Sequence, residues 1–109
     1  MPSKKSAKDK RARIPRASDY TRAFLKDWQR LSRAGRFDMH RLKQVMLLLI
    51  ANEGPLPREY RDHPLSGTWQ DFRECHIGGD FLLIYRIQSF GGSEQIVFTR
   101  AGTHADLFE

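Results

Sequence analysis

Along the chain, apolar residues first recur with the period of a helix. Tyr20, Phe24, Trp28 and Leu31 stand at spacings of four, four and three, which places them on one helical face. Ser18 is suited to cap that helix, Asp19 stands in its first turn, and Arg30 and Arg33 complement the dipole at its C-terminus. Gly35 can take the left-handed conformation that stops it. A second helix is predicted after Asp38 as N-cap, with Met39, Leu42, Val45, Met46, Leu49 and Ile50 on one stripe. Leu47 and Leu48 widen the stripe to most of the circumference, so this helix is expected to be central and buried, ending at Gly54-Pro55. His40 falls in its first turn on a polar side and reads as a solvated surface residue.

Pro55, Pro57, Pro64 and Gly67 then interrupt any regular element, and the period changes from helical to alternating. Residues Trp69 to Ile77 put Phe72, Glu74 and His76 on one face and Arg73, Cys75 and Ile77 on the other. Phe81 to Gln88 begins with a continuous apolar run, as expected of a central strand covered on both sides. Glu94 to Arg100 gives a third strand, and the Gly78-Gly79 and Gly91-Gly92 pairs supply hairpin turns between the three. The prediction is an α+β fold in which two N-terminal helices pack on a three- to four-stranded antiparallel sheet.

Composition adds a boundary. With 109 residues there is material for one domain around one modest core. No apolar stretch reaches the roughly 18 to 20 residues that span a bilayer, and no apolar secretory segment opens the chain, so a soluble cytoplasmic protein without a membrane partner is expected. The formal charge of +6 is concentrated at the start: seven basic residues precede Ala17 against Asp9 alone, whereas Ala17 to Glu109 carries twelve of each sign. Residues 1–12 are therefore expected to be a disordered basic tail and 13–109 the folded domain. Arg11 to Arg16 reads as a short edge strand, with Pro15 on its unpaired side. The one cysteine, Cys75, lies inside a predicted strand and reads as core filler.

Three of the four histidines, His63, His76 and His104, sit at the edges of turn or apolar segments beside acids and arginines. Histidine exchanges a proton near neutral pH, so the set points to proton transfer on an anionic substrate. Each residue also has a plainer reading: His63 before Pro64 as a loop cap, Asp80 as a turn residue, Arg73 as a partner of Asp71 or Glu74, Trp69 and Tyr85 as core. A metal site built from His63, His76, His104 and Asp80 is an alternative, but the spacings match no compact ligand motif, and no metal or other cofactor is expected. Gly-rich phosphate loops, CxxC pairs and HExxH helices are absent.

Four stretches, Arg61-Asp62-His63-Pro64-Leu65-Ser66-Gly67-Thr68-Trp69, Phe72-Arg73-Glu74-Cys75-His76, Asp80-Phe81-Leu82-Leu83-Ile84-Tyr85 and Thr103-His104-Ala105-Asp106-Leu107-Phe108, in this order and spacing resemble the YafQ branch of the RelE/ParE superfamily of bacterial toxins. The resemblance covers roughly Tyr20 to Phe108. It implies a RelE-like fold, a ribosome-dependent endoribonuclease acting on mRNA, and silencing by a cognate antitoxin. It further implies catalytic roles for His63, His76, Asp80, His104 and Phe108. Phe81 stands where relatives often carry tryptophan. Cleavage through the RNA's own 2′-hydroxyl needs a base, an acid and groups that stabilise the phosphorane. Histidines and an aspartate suit the proton transfers, Arg73 and Arg100 suit the phosphate, and Phe108 and Phe81 suit stacking on a base. Which group is base and which acid stays open. A ParE-like gyrase inhibitor and a non-catalytic antitoxin-binding module are the alternatives.

Overall fold

The computed structural model describes residues 14–109, so the expected basic tail at 1–12 lies outside the described residues. Three helices and five strands follow one another: β1 (Ala17–Tyr20), α1 (Arg22–Ala34), α2 (Met39–Ala51), β2 (His63–Pro64), β3 (Arg73–Gly78), β4 (Phe81–Phe90), β5 (Ser93–Gly102) and α3 (His104–Phe108), with 3₁₀ turns at Arg58–Tyr60 and Gly67–Trp69. The sheet order is β1-β5-β4-β3-β2. The α+β layering is as expected, but the sheet has five strands and is mixed, because β1 runs parallel to β5.

That strand corrects the reading of the first helix. Asp19 and Tyr20 belong to β1, where Tyr20 pairs with Phe98, and Thr21 rather than Ser18 is the N-cap of α1. The Thr21 hydroxyl accepts from the Phe24 amide at 3.0 Å and donates to the Thr99 carbonyl at 2.7 Å, so the cap is tied to the sheet. Thr99 is free to receive it because β5 carries a bulge there: Ile84 pairs with Arg100, yet Tyr85 pairs with Phe98. Residues 14–16 form no strand, although Arg16 bonds the Ile50 carbonyl through its amide.

Helix α2 starts at the Asp38 cap as predicted and stops at Asn52, which adopts the left-handed conformation before Gly54-Pro55 is reached. It is less enclosed than its apolar content suggests. Leu42, Val45 and Leu49 are buried, whereas Leu47 and Leu48 face outward with 64% and 45% of their surface exposed. His40 is exposed, as expected.

Side chains alternate across β3 and β4 and divide the interior in two. On one face Cys75, Ile77, Leu83 and Tyr85 pack with Phe24, Leu31, Leu42 and Val45 from the two long helices. On the other, Leu82 and Ile84 pack with Leu107 of α3 and with Leu65, Trp69 and Phe72 from the loop before β3. The helix face is thickly covered. The opposite face is covered only by a five-residue helix and a loop, and the pairing register places His63, Glu74 and Ile84 in one row across β2, β3 and β4 on that side.

Candidate active site

Three local structures bring the histidines together. His63 enters β2 two residues after Arg61, a non-glycine residue held at φ 48°, and its Nδ1–H donates to the Arg61 carbonyl at 2.6 Å. His76 ends the regular part of β3, where a bulge makes Gly78 rather than Ile77 the partner of Phe81. His104 opens α3, whose capping box joins Thr103 and Asp106. The rings form a row: His63 to His76 is 6.2 Å between centroids and His76 to His104 is 6.3 Å. Phe108 continues it, 6.0 Å from His104 and 6.1 Å from Trp69.

Each outer histidine is oriented by a fixed acceptor. Asp80, in the turn after Gly78-Gly79, accepts from the His104 amide at 3.0 Å and from His104 Nδ1–H at 2.6 Å. These two bonds, the backbone one foremost, hold the Asp80 carboxyl below the usual carboxylate range, so at neutral pH it is an ionised anchor. Carbonyl and carboxylate both require the proton on Nδ1, which leaves Nε2 of His63 and of His104 as the nitrogens able to exchange protons with a substrate.

Glu74 is the residue whose role the sequence did not disclose. Its carboxylate is buried, and Oε1 lies 3.6 Å from Nε2 of both His63 and His76. Its position two residues before His76 on the same strand face was the available signal.

Three sequence-predicted residues stand differently. Phe81 is 4% exposed and packs edge-on against Phe37, so it belongs to the core and offers no face to a base. Arg73 pairs with Asp62, at 3.2 Å, not with Asp71 or Glu74; Asp62 also accepts from the Tyr85 hydroxyl at 2.5 Å. Burial pushes the Tyr85 phenol well above its ordinary value, so it remains a donor. Arg100 continues the His63–Glu74–Ile84 row, but its Nε and Nη2 are turned to Asp27 at 2.7 and 3.2 Å. Both arginines are thus engaged in ion pairs away from the three rings. Cys75 is fully buried, and burial pushes its thiol far up, in keeping with core filler. Among the described residues no three His, Cys, Asp or Glu side chains converge to hold a metal ion.

Two shallow clefts that share Arg41, Ile77 and Gly78 open next to each other beside His76. One, of about 210 Å³, is lined by Arg41, Arg61, His76 and Gly79, and the other, of about 380 Å³, by Arg36, Phe37, Asp38, Asp80 and Thr103.

Comparison with known proteins bears on the chain as a whole. Residues 16–109 match the family model described as a bacterial toxin of type II toxin–antitoxin system, YafQ. The mRNA interferase toxin YafQ of Escherichia coli K12 is 41% identical over 95 residues, covering 87% of this chain and 98% of that one. Among solved structures, the E. coli DinJ–YafQ complex superimposes with a TM-score of 0.74 at 40% identity, over 86% of this chain and 99% of that one. A metal-bound toxin from Helicobacter pylori does so with a TM-score of 0.72 at 37% identity, over 84% and 98%. With nearly the whole described chain matched, and nearly the whole length of relatives that share its fold, this protein belongs to the YafQ family of type II toxin–antitoxin toxins.

Proposed function

We propose that the protein is an endoribonuclease that cuts mRNA on the translating ribosome in the cytoplasm and is held inactive by a cognate antitoxin. The observation that carries this reading is the row of three histidine rings whose outer members are each held by a fixed acceptor at Nδ1. The E. coli relative's name, mRNA interferase toxin, and the complex of its counterpart with DinJ support the activity and the partner class.

In-line attack by the 2′-hydroxyl places the entering and leaving oxygens on opposite sides of phosphorus. Base and acid must then stand apart, with a charge-stabilising group between them. His63 and His104 occupy the outer places and act through Nε2, each proton transfer contributing about 10²- to 10⁴-fold. His76, beside the buried Glu74 and between the outer rings, faces the phosphate as the central hydrogen-bonding group. Asp80 keeps the His104 ring in its tautomer and orientation, the part an aspartate plays in a catalytic triad. Phe108 stacks on a base next to the scissile bond, being 41% exposed at the end of the row.

Primer extension on a reporter mRNA in a translating extract tests this. New 5′ ends that require both His104 and ribosomes are expected, and His104→Ala should abolish them. Absence of cleavage by the unsubstituted protein, with growth still inhibited in cells, would replace this reading with a gyrase-directed or binding-only toxin.

A further inference from the structure

Helix α3 carries His104 and Phe108 on only five residues, too few to be helical without outside support. One support is the Asp80 link at its first residue, and a second is Leu107 seated on Leu82 and Ile84. The third runs to helix α1. Asp106 Oδ2 accepts from the Thr103 amide at 3.0 Å and from Arg30 Nη1 at 3.1 Å. Arg30 Nη2 reaches Asp27 Oδ1 at 3.2 Å, and the buried Asp27 also accepts from the Ala101 amide at 3.0 Å. A continuous chain of hydrogen bonds therefore joins α1, the end of β5 and the cap of α3.

Gly102 shows how closely these parts meet. At φ 153° it lies in backbone space that suits glycine, and a Cβ there would fall 2.8 Å from Asp106 Oδ2 and 3.2 Å from Arg30 Nη2. The missing side chain lets the Arg30–Asp106 pair lie flush against the strand.

Resting on the ribonuclease reading above, we infer that Arg30 is a positioning residue: clasped between Asp27 and Asp106 over Gly102, it sets where α3 holds His104 and Phe108. The Arg30–Asp106 pair is partly open to water, with side-chain exposures of 46% and 32%, so it contributes little to global stability. Its effect is on geometry. A displacement of about 1 Å at a reacting group costs on the order of 10²-fold in rate.

The test compares wild type with Arg30→Met, which keeps the stem and removes the charge, and with Arg30→Lys, which restores it. In Arg30→Met the thermal midpoint should fall by no more than about 10 °C, because Asp27 keeps its bonds from Arg100 and the Ala101 amide and the Asp106 pair is half exposed. Amide exchange of residues 103–108 should quicken about tenfold, through local rather than global opening, and the His104 ring resonances should move. Single-turnover cleavage of ribosome-bound mRNA should slow by about 10- to 100-fold at saturation, with unchanged half-saturation. Arg30→Lys should recover most of the rate. Wild-type exchange and wild-type His104 resonances in Arg30→Met would overturn the assignment. If the unsubstituted protein cleaves no mRNA, the ribonuclease reading falls while amide exchange still decides the clasp.

Discussion

Asp27 offers the sharpest test of how the fold is held. It is 4% exposed and accepts from Arg100 Nε at 2.7 Å, Arg100 Nη2 at 3.2 Å, the Ala101 amide at 3.0 Å and Arg30 Nη2 at 3.2 Å. Asp27→Ala strands the Arg100 fork and leaves the buried Ala101 amide without an acceptor. Breaking a buried ion pair costs about 3 to 5 kcal/mol. Arg100 keeps 28% of its side chain in solvent, so water can relieve part of its charge and the low end, about 3 kcal/mol, applies to the pair. The orphaned amide adds about 1 kcal/mol. A loss of about 4 kcal/mol is a large part of the 5 to 15 kcal/mol typical of a domain, and corresponds to a melting point lower by roughly 15 to 30 °C. Urea titration followed by Trp28 and Trp69 fluorescence would measure it. The double variant Asp27→Leu with Arg100→Met removes both charges and should be more stable than Asp27→Ala, because no ion is left unpaired. An Asp27→Ala protein within about 1 kcal/mol of wild type, or a double variant less stable than the single one, would refute the reasoning.

Two more outcomes follow from the same hydrogen bonds. Tyr85→Phe removes the 2.5 Å donor to Asp62, the residue that precedes His63, and should cost about 1.5 to 3 kcal/mol in urea while broadening the His63 ring resonances; unchanged stability would show that Arg73 alone suffices for Asp62. Asp80 and Asp106 are both held below the usual carboxylate range, chiefly by the His104 and Thr103 amides respectively, so each stabilises the fold at every pH above the unfolded value near 3.9 and loses that contribution as pH falls through its lower folded value. Amide protection in residues 103–108 should therefore hold from pH 7 to about 4 and vanish below; loss already near pH 6 would place the controlling group elsewhere.

What the sequence disclosed and what it hid divide along the distance between partners. Asp38 and Gly35 were legible as caps because the residues that use them are adjacent. Ser18 was misjudged because the segment Ala17–Tyr20 takes its partner from β5, some 78 positions away, and no local pattern reports that. Leu47 and Leu48 were read as buried because an apolar run cannot say which side of a helix meets the sheet. In the site, the three histidines and Asp80 were found through motif resemblance, and the structure brings them side by side. Arg73 and Arg100 looked available for phosphate because Asp62 and Asp27 stand 11 and 73 residues away. Phe81 looked like a stacking surface because its chemistry, rather than its burial, was what the sequence displayed.

The pairing of β1 with β5 also sets an order of events during synthesis. Helices α1 and α2 leave the ribosome first, with Leu31, Leu42 and Val45 turned toward a sheet that does not yet exist. About fifty residues separate the end of α2 from the end of β5, which is roughly 3 to 10 seconds at ordinary elongation rates. For that interval the nascent chain presents an uncovered apolar surface to chaperones and to its neighbours. Until β5 and α3 have emerged His104 has no place beside His76, so the row of three rings is the last part of the molecule to be completed.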